Sequence, residues 1–418
     1  MIRKISTKNL EIGMFVSDVG RAWFNHPWKT KSKYISDLSE IKELVDFGIE
    51  EVFIDTQKTL KPGVTAPTLK EDGFRAKEGS YRVRSQPPES VASTAKKEDP
   101  VSELELELPK AAKAYNRALD TSKALVAACR MNKRIEVNEV QENVDELVES
   151  VSRNQDALTA LIKLRRFDDY TYTHSLNVSV LSIASGKALG LSDQELKILG
   201  MGTMFHDLGK CRIPSIILNK PDKLTDEEFV IMKNHAALSA EILIEQKLPV
   251  DDLVIKVARY HHERMDGSGY PDHLKGDQIP YLATVCGLSD VYDALTSDRV
   301  YHKGMLPHEA LKFIYGLRGT HFQPEWVDRF VQSVGIYPPG SLVELNTGQM
   351  AVVMEVNHDS LLCPIIKLVV DPKGQIYDRP KVVNLAQPEG RDYSIQAVIP
   401  PKKAGIDPSY YFNLKGAS

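Results

Sequence analysis

No stretch of this chain approaches the roughly 18 consecutive apolar residues that a membrane-spanning helix needs, so no transmembrane helix is expected. Residues 1–11 mix charges with single apolar side chains and lack the apolar centre of a signal peptide. Cysteine is scarce: Cys129, Cys211, Cys286 and Cys363 make no CxxC pair and no dense framework. They read as reduced thiols, in the core or on the surface of a cytoplasmic protein. Positive charge is not in excess, because 53 Lys and Arg face 57 Asp and Glu, for a net charge of −4. That balance exerts no general pull on nucleic acid or anionic membrane, so an anionic ligand has to be held by local cations. No basic stripe interleaved with aromatics is found, which argues against a nucleic-acid substrate. What is present is a globular composition, 42% hydrophobic and 26% charged, in 418 residues. Such a length points to two or three domains.

The pattern along the chain predicts a mainly α protein, a helical bundle flanked by a small α+β module before it and a small β appendage after it. Residues 1–60 alternate short apolar runs with turn residues, giving strands near residues 14–16 and 51–54 and a helix over 39–47. Trp23 and Trp28 are expected to pack within this module. Residues 61–104 lose all apolar period among Pro62, Pro67, Pro87, Pro88 and Pro100, the composition of a disordered linker. Helical periodicity starts near Leu108 and runs to about Val334. Connecting helices are expected over 105–160 and the main bundle over 161–335, with Ser192/Glu195 and Thr225/Glu228 as capping boxes. The connecting helices either form a dimer seam or cover the bundle. From residue 336 onward the period switches to two, with strands near 342–345, 350–356 and 365–370.

Eleven histidines are unremarkable in number but not in placement. His174, His206, His235, His261 and His262 all fall in predicted bundle helices or at their ends, with Asp207 beside His206 and Asp290 further on. Imidazole and carboxylate together suit iron, manganese, nickel or zinc, and bundles build such sites from inward-facing side chains on several helices. Neighbours on a helix diverge by about 100°, so only a site wrapped by a helix end uses both members of the His206–Asp207 or His261–His262 pairs. A lone buried histidine is more often a hydrogen-bonded core residue than a ligand. Spacing alone leaves both readings standing.

The motifs carry the argument further. His206-Asp207-Leu208-Gly209-Lys210 resembles the HD[IL]GK signature of the HD metal-dependent phosphohydrolases. His261-His262-Glu263, followed by Asp266-Gly267-Ser268-Gly269-Tyr270-Pro271, is similar to the HHE…DGxGYP signature of the HD-GYP subfamily. The run from Ser289 to Arg299 resembles that subfamily's DxxDALTSxR segment. The resemblance covers residues 161–335, and it implies an HD-type bundle that hydrolyses cyclic di-GMP to pGpG, with a second step to GMP left open, in bacterial signalling. It also implies two divalent ions, Fe or Mn ahead of Ni or Zn. One would be held by His174, His206, Asp207 and Asp290, the other by His235, His261 and His262 with Asp207 as bridge. Paired ions activate water and clamp a phosphate. On this reading Lys210 balances phosphate charge, and Asp293 orients the nucleophilic water or accepts its proton. Arg299 offers a planar fork to a second phosphate or a guanine edge, and Tyr270 packs at the rim or touches the ligand.

Two departures from the family pattern stand out. Members with a third metal carry a glutamate four residues before the first histidine; here that position is Tyr170, so two ions are expected. After Arg299 the usual R-P-Y-[KR] reads Arg299-Val300-Tyr301-His302, which leaves His302 or Lys303 to supply the cation. Two rival functions remain at this level. One is hydrolysis of 3′3′-cyclic GMP-AMP. The other is a silent cyclic-dinucleotide receptor acting through a signalling partner.

Overall fold

A computed structural model describes residues 2–18, 33–35, 37–46, 49, 51–56, 103–164, 170–220, 222–298 and 304–412. Trp23, Trp28 and the proline-bearing linker lie outside the described residues. The chain divides into two compact units, Met1–Arg82 and Val83–Ser418.

The first unit is a four-stranded antiparallel sheet with one helix. Its elements are β1 (Ile2–Ser6), β2 (Phe15–Asp18), β3 (Lys33–Tyr34), α1 (Leu38–Asp46) and β4 (Glu51–Asp55), in sheet order β1-β4-β2-β3. The two-residue side-chain period of a strand turns Val52 and Ile54 of β4 inward, where they meet Leu10, Val16, Ile35, Leu44 and Ile49.

The second unit opens with α2 (Glu103–Arg130), α3 (Val137–Arg153), α4 (Gln155–Leu164), α5 (Tyr170–Ala188) and α6 (Asp193–Phe205). There follow a 3-10 helix (Leu208–Arg212), α7 (Ser215–Leu218), α8 (Asp226–Lys233), α9 (His235–Glu245) and α10 (Asp252–Tyr260). The bundle closes with α11 (Tyr281–Thr296), α12 (Pro307–Tyr315) and α13 (Pro324–Val334). Both expected capping boxes are formed, Ser192 with Glu195 on α6 and Thr225 with Glu228 on α8. The α2 helix begins at Glu103, earlier than the periodicity suggests, and continues through Pro109. Proline removes one backbone hydrogen bond and ordinarily stops a helix. Here burial of Leu104, Glu107 and Leu108 on its near side holds the turn together. Glu107 is itself satisfied by Ser150 Oγ and by Arg153, both on α3.

The α2, α3 and α4 helices share one core with α5 and α6, including Leu108, Tyr115, Val144, Leu147, Leu158 and Leu176. Of the two uses open to these helices, covering the bundle is the one their buried stripes serve. No described helix is long and apolar enough to cross a membrane.

The appendage is a five-stranded antiparallel sheet, β5 (Leu342–Leu345), β6 (Met350–Glu355), β7 (Ile365–Val370), β8 (Ile376–Asn384) and β9 (Ile395–Ile399), in order β8-β7-β6-β5-β9. A short α14 (Pro401–Ala404) follows. Three of these strands are legible from alternation. The two missed ones are the sheet's edges: β8 is mostly exposed and carries Pro380, a residue confined to sheet edges because it cannot donate to a ladder.

For the site, what matters is the convergence of α5, α6, α9, α10 and α11. The α5 helix packs on α6 and α11; α10 packs on α6, α9 and α11; and α9 lies against the 3-10 helix.

Candidate metal centre

Each adjacent pair straddles the end of a helix. The α6 helix closes at Phe205 with His206 as its C-cap, and Asp207 leaves the helix with φ −98° to start the 3-10 turn. The α10 helix closes at Tyr260 with His261 as its C-cap, and His262 follows in the turn. Leaving helical geometry at that point is what lets neighbours otherwise about 100° apart face one centre. His174 comes from α5, His235 from the first position of α9, and Asp290 from α11. One potential ligand atom each from His174, His206 and Asp207 lie within 4.8 Å of one another, and the same holds for His235, His261 and His262.

The backbone decides which nitrogen of each ring points inward. His206 Nδ1 lies 2.6 Å from the Thr203 carbonyl, His235 Nδ1 2.7 Å from that of Met232, and His261 Nδ1 2.9 Å from that of Ala258. A carbonyl only accepts, so each Nδ1 carries the proton and each Nε2 presents a lone pair. His206 Nε2 and His261 Nε2 are buried with no hydrogen-bond partner among the described residues. His235 Nε2 and His262 Nε2 stand 3.1 Å apart. Two imidazole nitrogens this close share one proton or one cation. Buried, unsatisfied lone pairs of this kind are costly, and a divalent ion relieves all of them together. The donor set therefore fits borderline metals of the N/O class.

Electrostatics agree. Burial pushes the pKa of His206 and His261 down, that of His235 to about 4 and that of His262 to about 3, so all four are neutral, the form that ligates. Burial would lower His174 as well, but hydrogen bonds to Asp290 and Asp293 outweigh it and raise the group to about 9. Burial opposes charge on Asp207 and Asp290. Lys210 and the surrounding histidines nevertheless hold Asp207 well below the ordinary carboxylate range, and His174 foremost does the same for Asp290. Two buried ionised carboxylates beside four neutral imidazoles make a place for positive charge. Lys210 supplies part of it, with Nζ 2.5 Å from Asp207 Oδ2.

Asp293 sits one layer behind this ring. It is 1% exposed, and its Oδ2 accepts from His174 Nδ1 at 2.7 Å. Its Oδ1 accepts from Asn177 Nδ2 at 3.0 Å and Ser297 Oγ at 3.1 Å. Both oxygens accept from protein donors, a placement that suits orienting His174. Asp293 fixes the ring of His174, whose Nε2 then faces Asp290 Oδ1 at 3.0 Å and Asp207 Oδ2 at 3.4 Å. Asp293→Asn is expected to lower metal affinity or activity about 10–100-fold, the usual cost of losing such a partner. Metal titration followed by turnover measurements checks this.

Several supporting residues have no role assigned from the sequence. Ser239 Oγ accepts from Gly209 N at 2.8 Å and lies 2.7 Å from the His206 carbonyl, tying α9 to the turn that holds His206 and Asp207. Asn177 and Ser297 complete the cradle of Asp293. Glu263, 3% exposed, accepts from Asp272 N at 2.7 Å and Leu274 N at 3.0 Å, pinning the loop that carries Tyr270. Gly269 lies against that anchor: a Cβ there would fall 2.4 Å from Arg264 N. The Tyr270 ring lies 4.7 Å from that of His262 and 6.3 Å from that of His235, so it walls the centre. Arg299, His302 and Lys303 lie outside the described residues. Tyr170 opens α5, four residues before His174.

An all-helical interior that gathers imidazoles and carboxylates at helix ends is the arrangement of an HD-type metal-dependent phosphohydrolase. An HD-domain family model matches residues 144–326, a domain of unknown function (DUF3391) matches 2–140, and a KOW domain associated with HD domains matches 342–404. The cyclic di-GMP phosphodiesterase PA4108 of Pseudomonas aeruginosa is 35% identical over 388 residues, 93% of this chain and 90% of that protein. The cyclic di-GMP phosphodiesterase response regulator RpfG of Xanthomonas campestris is 35% identical over 216 residues, covering 52% of this chain and 53% of that one. The 3′3′-cGAMP-specific phosphodiesterase 2 of Vibrio cholerae is 33% identical over 162 residues, 39% of this chain and 31% of that one. With a relative this similar along nearly all of both chains, and the HHE and DGxGYP residues in place, the chain belongs to the HD-GYP family of phosphodiesterases.

Proposed function

We propose that this chain hydrolyses cyclic di-GMP to linear pGpG at a centre of two divalent ions, iron or manganese, acting in the cytoplasm. The observation that carries the proposal is the convergence of His174, His206, Asp207, His235, His261, His262 and Asp290 from five elements on one buried centre. Similarity to PA4108 along nearly the whole chain favours cyclic di-GMP as substrate. Asp207 lies between the two imidazole groups, with Oδ2 3.4 Å from His174 Nε2 and Oδ1 3.4 Å from His235 Nε2, as a bridging carboxylate should. Two ions, when bound, activate water and clamp the scissile phosphate.

The chain's own residues do the rest. Backbone carbonyls and Asp293 orient the rings. Lys210, at the edge of the centre, offsets charge that grows on the phosphate oxygens as the ribose 3′-oxygen leaves. Tyr270 shields the centre and offers a face to a base. Arg299, with His302 or Lys303, is proposed to hold the second phosphate. The geometry disfavours a silent receptor, because all seven ligating groups are present and positioned.

Lys210→Ala is expected to keep its metal and lose turnover by about 10²–10³-fold, the scale on which removal of one transition-state donor acts. Metal analysis and initial rates on the same preparation check it, and full activity would demote Lys210 to a surface cation. The function itself is tested by incubating anaerobically purified protein, loaded with Fe(II) or Mn(II), with cyclic di-GMP and separating products by chromatography. Formation of pGpG supports the reading, and later GMP shows a second cleavage. Similarity to a 3′3′-cGAMP-specific enzyme makes that dinucleotide the competitor to include. A clear preference for it moves the substrate assignment. Binding without turnover, with every metal tried, moves the function to a receptor.

A further inference from the structure

Two cysteines far apart in sequence meet beside the metal centre. Cys129 lies near the end of α2, and Cys211 follows Lys210 in the 3-10 helix. Both are half-buried free thiols packed against the same hydrophobic core. Their contacts cross over: Cys129 Sγ lies 3.8 Å from the Leu208 carbonyl, and Cys211 Sγ lies 3.8 Å from the Val126 carbonyl. Each sulfur thus reaches the backbone of the other's element, within three residues of the other cysteine. The largest single influence on the ionisation of each thiol is the other one. That influence raises Cys129 and lowers Cys211, with Arg130 helping to lower Cys211. Cys286, by contrast, is fully buried.

We infer that Cys129 and Cys211 form a reversible disulfide under hydrogen peroxide, tethering the turn that carries Lys210 to α2. The chemistry balances with the peroxide as the oxidant. The Cys211 sulfur attacks one peroxide oxygen, the O–O bond breaks, and a sulfenic acid forms with release of one water. The Cys129 sulfur then attacks that sulfur, the S–S bond forms, the S–O bond breaks, and a second water leaves. The thiols lose two electrons and their protons end in water. A disulfide holds its Cα atoms about 4.4–6.8 Å apart, so bonding fixes the end of α2 to the 3-10 turn. Lys210 Nζ, 2.5 Å from Asp207, moves with its backbone.

The test uses the full chain loaded with Mn(II), so that peroxide has no ferrous iron to oxidise. After hydrogen peroxide and denaturation, iodoacetamide is expected to label two of the four cysteines, and peptide mapping should recover a Cys129–Cys211 cross-link that dithiothreitol reverses. In Cys129→Ser, Cys211 should instead be trapped as a sulfenic acid by dimedone. Four alkylatable cysteines after treatment, or cross-links to Cys286, to Cys363 or between chains, would overturn the pairing. The functional arm rests on the phosphodiesterase reading. Turnover of cyclic di-GMP should fall on the order of tenfold, given how steeply rates depend on position, recover with dithiothreitol, and be insensitive to peroxide in Cys129→Ser. A disulfide that leaves turnover unchanged overturns the link to Lys210. A protein that never turns over still reports the pairing by mass.

Discussion

Asp207→Ala should lose both its bound metal and its phosphodiesterase activity, with turnover down by more than about 10³-fold. That exceeds the 10–100-fold cost of removing a partner one layer back, because Asp207 reaches histidines of both groups and also holds Lys210. Its carboxylate lies 3.4 Å from His174 Nε2, 3.6 Å from His206 Nε2 and 3.4 Å from His235 Nε2, and it accepts the Lys210 ammonium. Without it, the Lys210 ammonium has no carboxylate partner there and the site keeps one of its two buried carboxylates to draw divalent ions in. Elemental analysis of purified protein and product formation from cyclic di-GMP measure the two losses separately. Far-ultraviolet circular dichroism shows whether the bundle persists. Metal content equal to that of the unaltered protein would remove Asp207 from the ligand set.

The second large effect comes from a residue with no side chain. A Cβ at Gly209 would lie 2.1 Å from the His235 carbonyl and 2.6 Å from Ser239 N. Both are backbone atoms of α9, so no rotamer change relieves the clash. Gly209→Ala has to push the 3-10 helix off α9, breaking the bond from Gly209 N to Ser239 Oγ. It also separates Asp207 from His235. The expected destabilisation is about 3 kcal/mol or more, at or beyond the upper end for overpacking against movable side chains. Metal content should fall with it. Denaturant unfolding with and without Mn(II) checks both, and unchanged stability would mean that the two elements do not meet as described.

Much of this was legible beforehand, for definite reasons. Three of the five histidines and both aspartates stand in three ordered motifs, and the rule that helix neighbours diverge already required the pairs to sit at helix ends. Capping boxes marked the starts of α6 and α8 because their two reciprocal hydrogen bonds are local in sequence. Less local facts were not legible. The start of α2 at Glu103, ahead of Pro109, was not legible, since Glu107 in that first stretch is held by Ser150 and Arg153 of α3. The β8 strand was missed because an exposed edge has no alternation to show. Asp293 was placed beside the water because it shares a face with Asp290. That it turns both oxygens to His174, Asn177 and Ser297 depends on the packing of α5 against α11.

The sequence by itself determined the residue types of the centre, the helical class of the fold and the family's chemistry, since these follow from composition, period and motif. Tertiary structure alone decided which histidine nitrogen faces inward, since the carbonyls of Thr203, Met232 and Ala258 select the tautomer only once the helix ends are formed. It also decided that Cys129 and Cys211, 82 residues apart in a chain without a CxxC motif, share one corner of the core. Proximity between distant segments is a property of packing, and no local pattern encodes it.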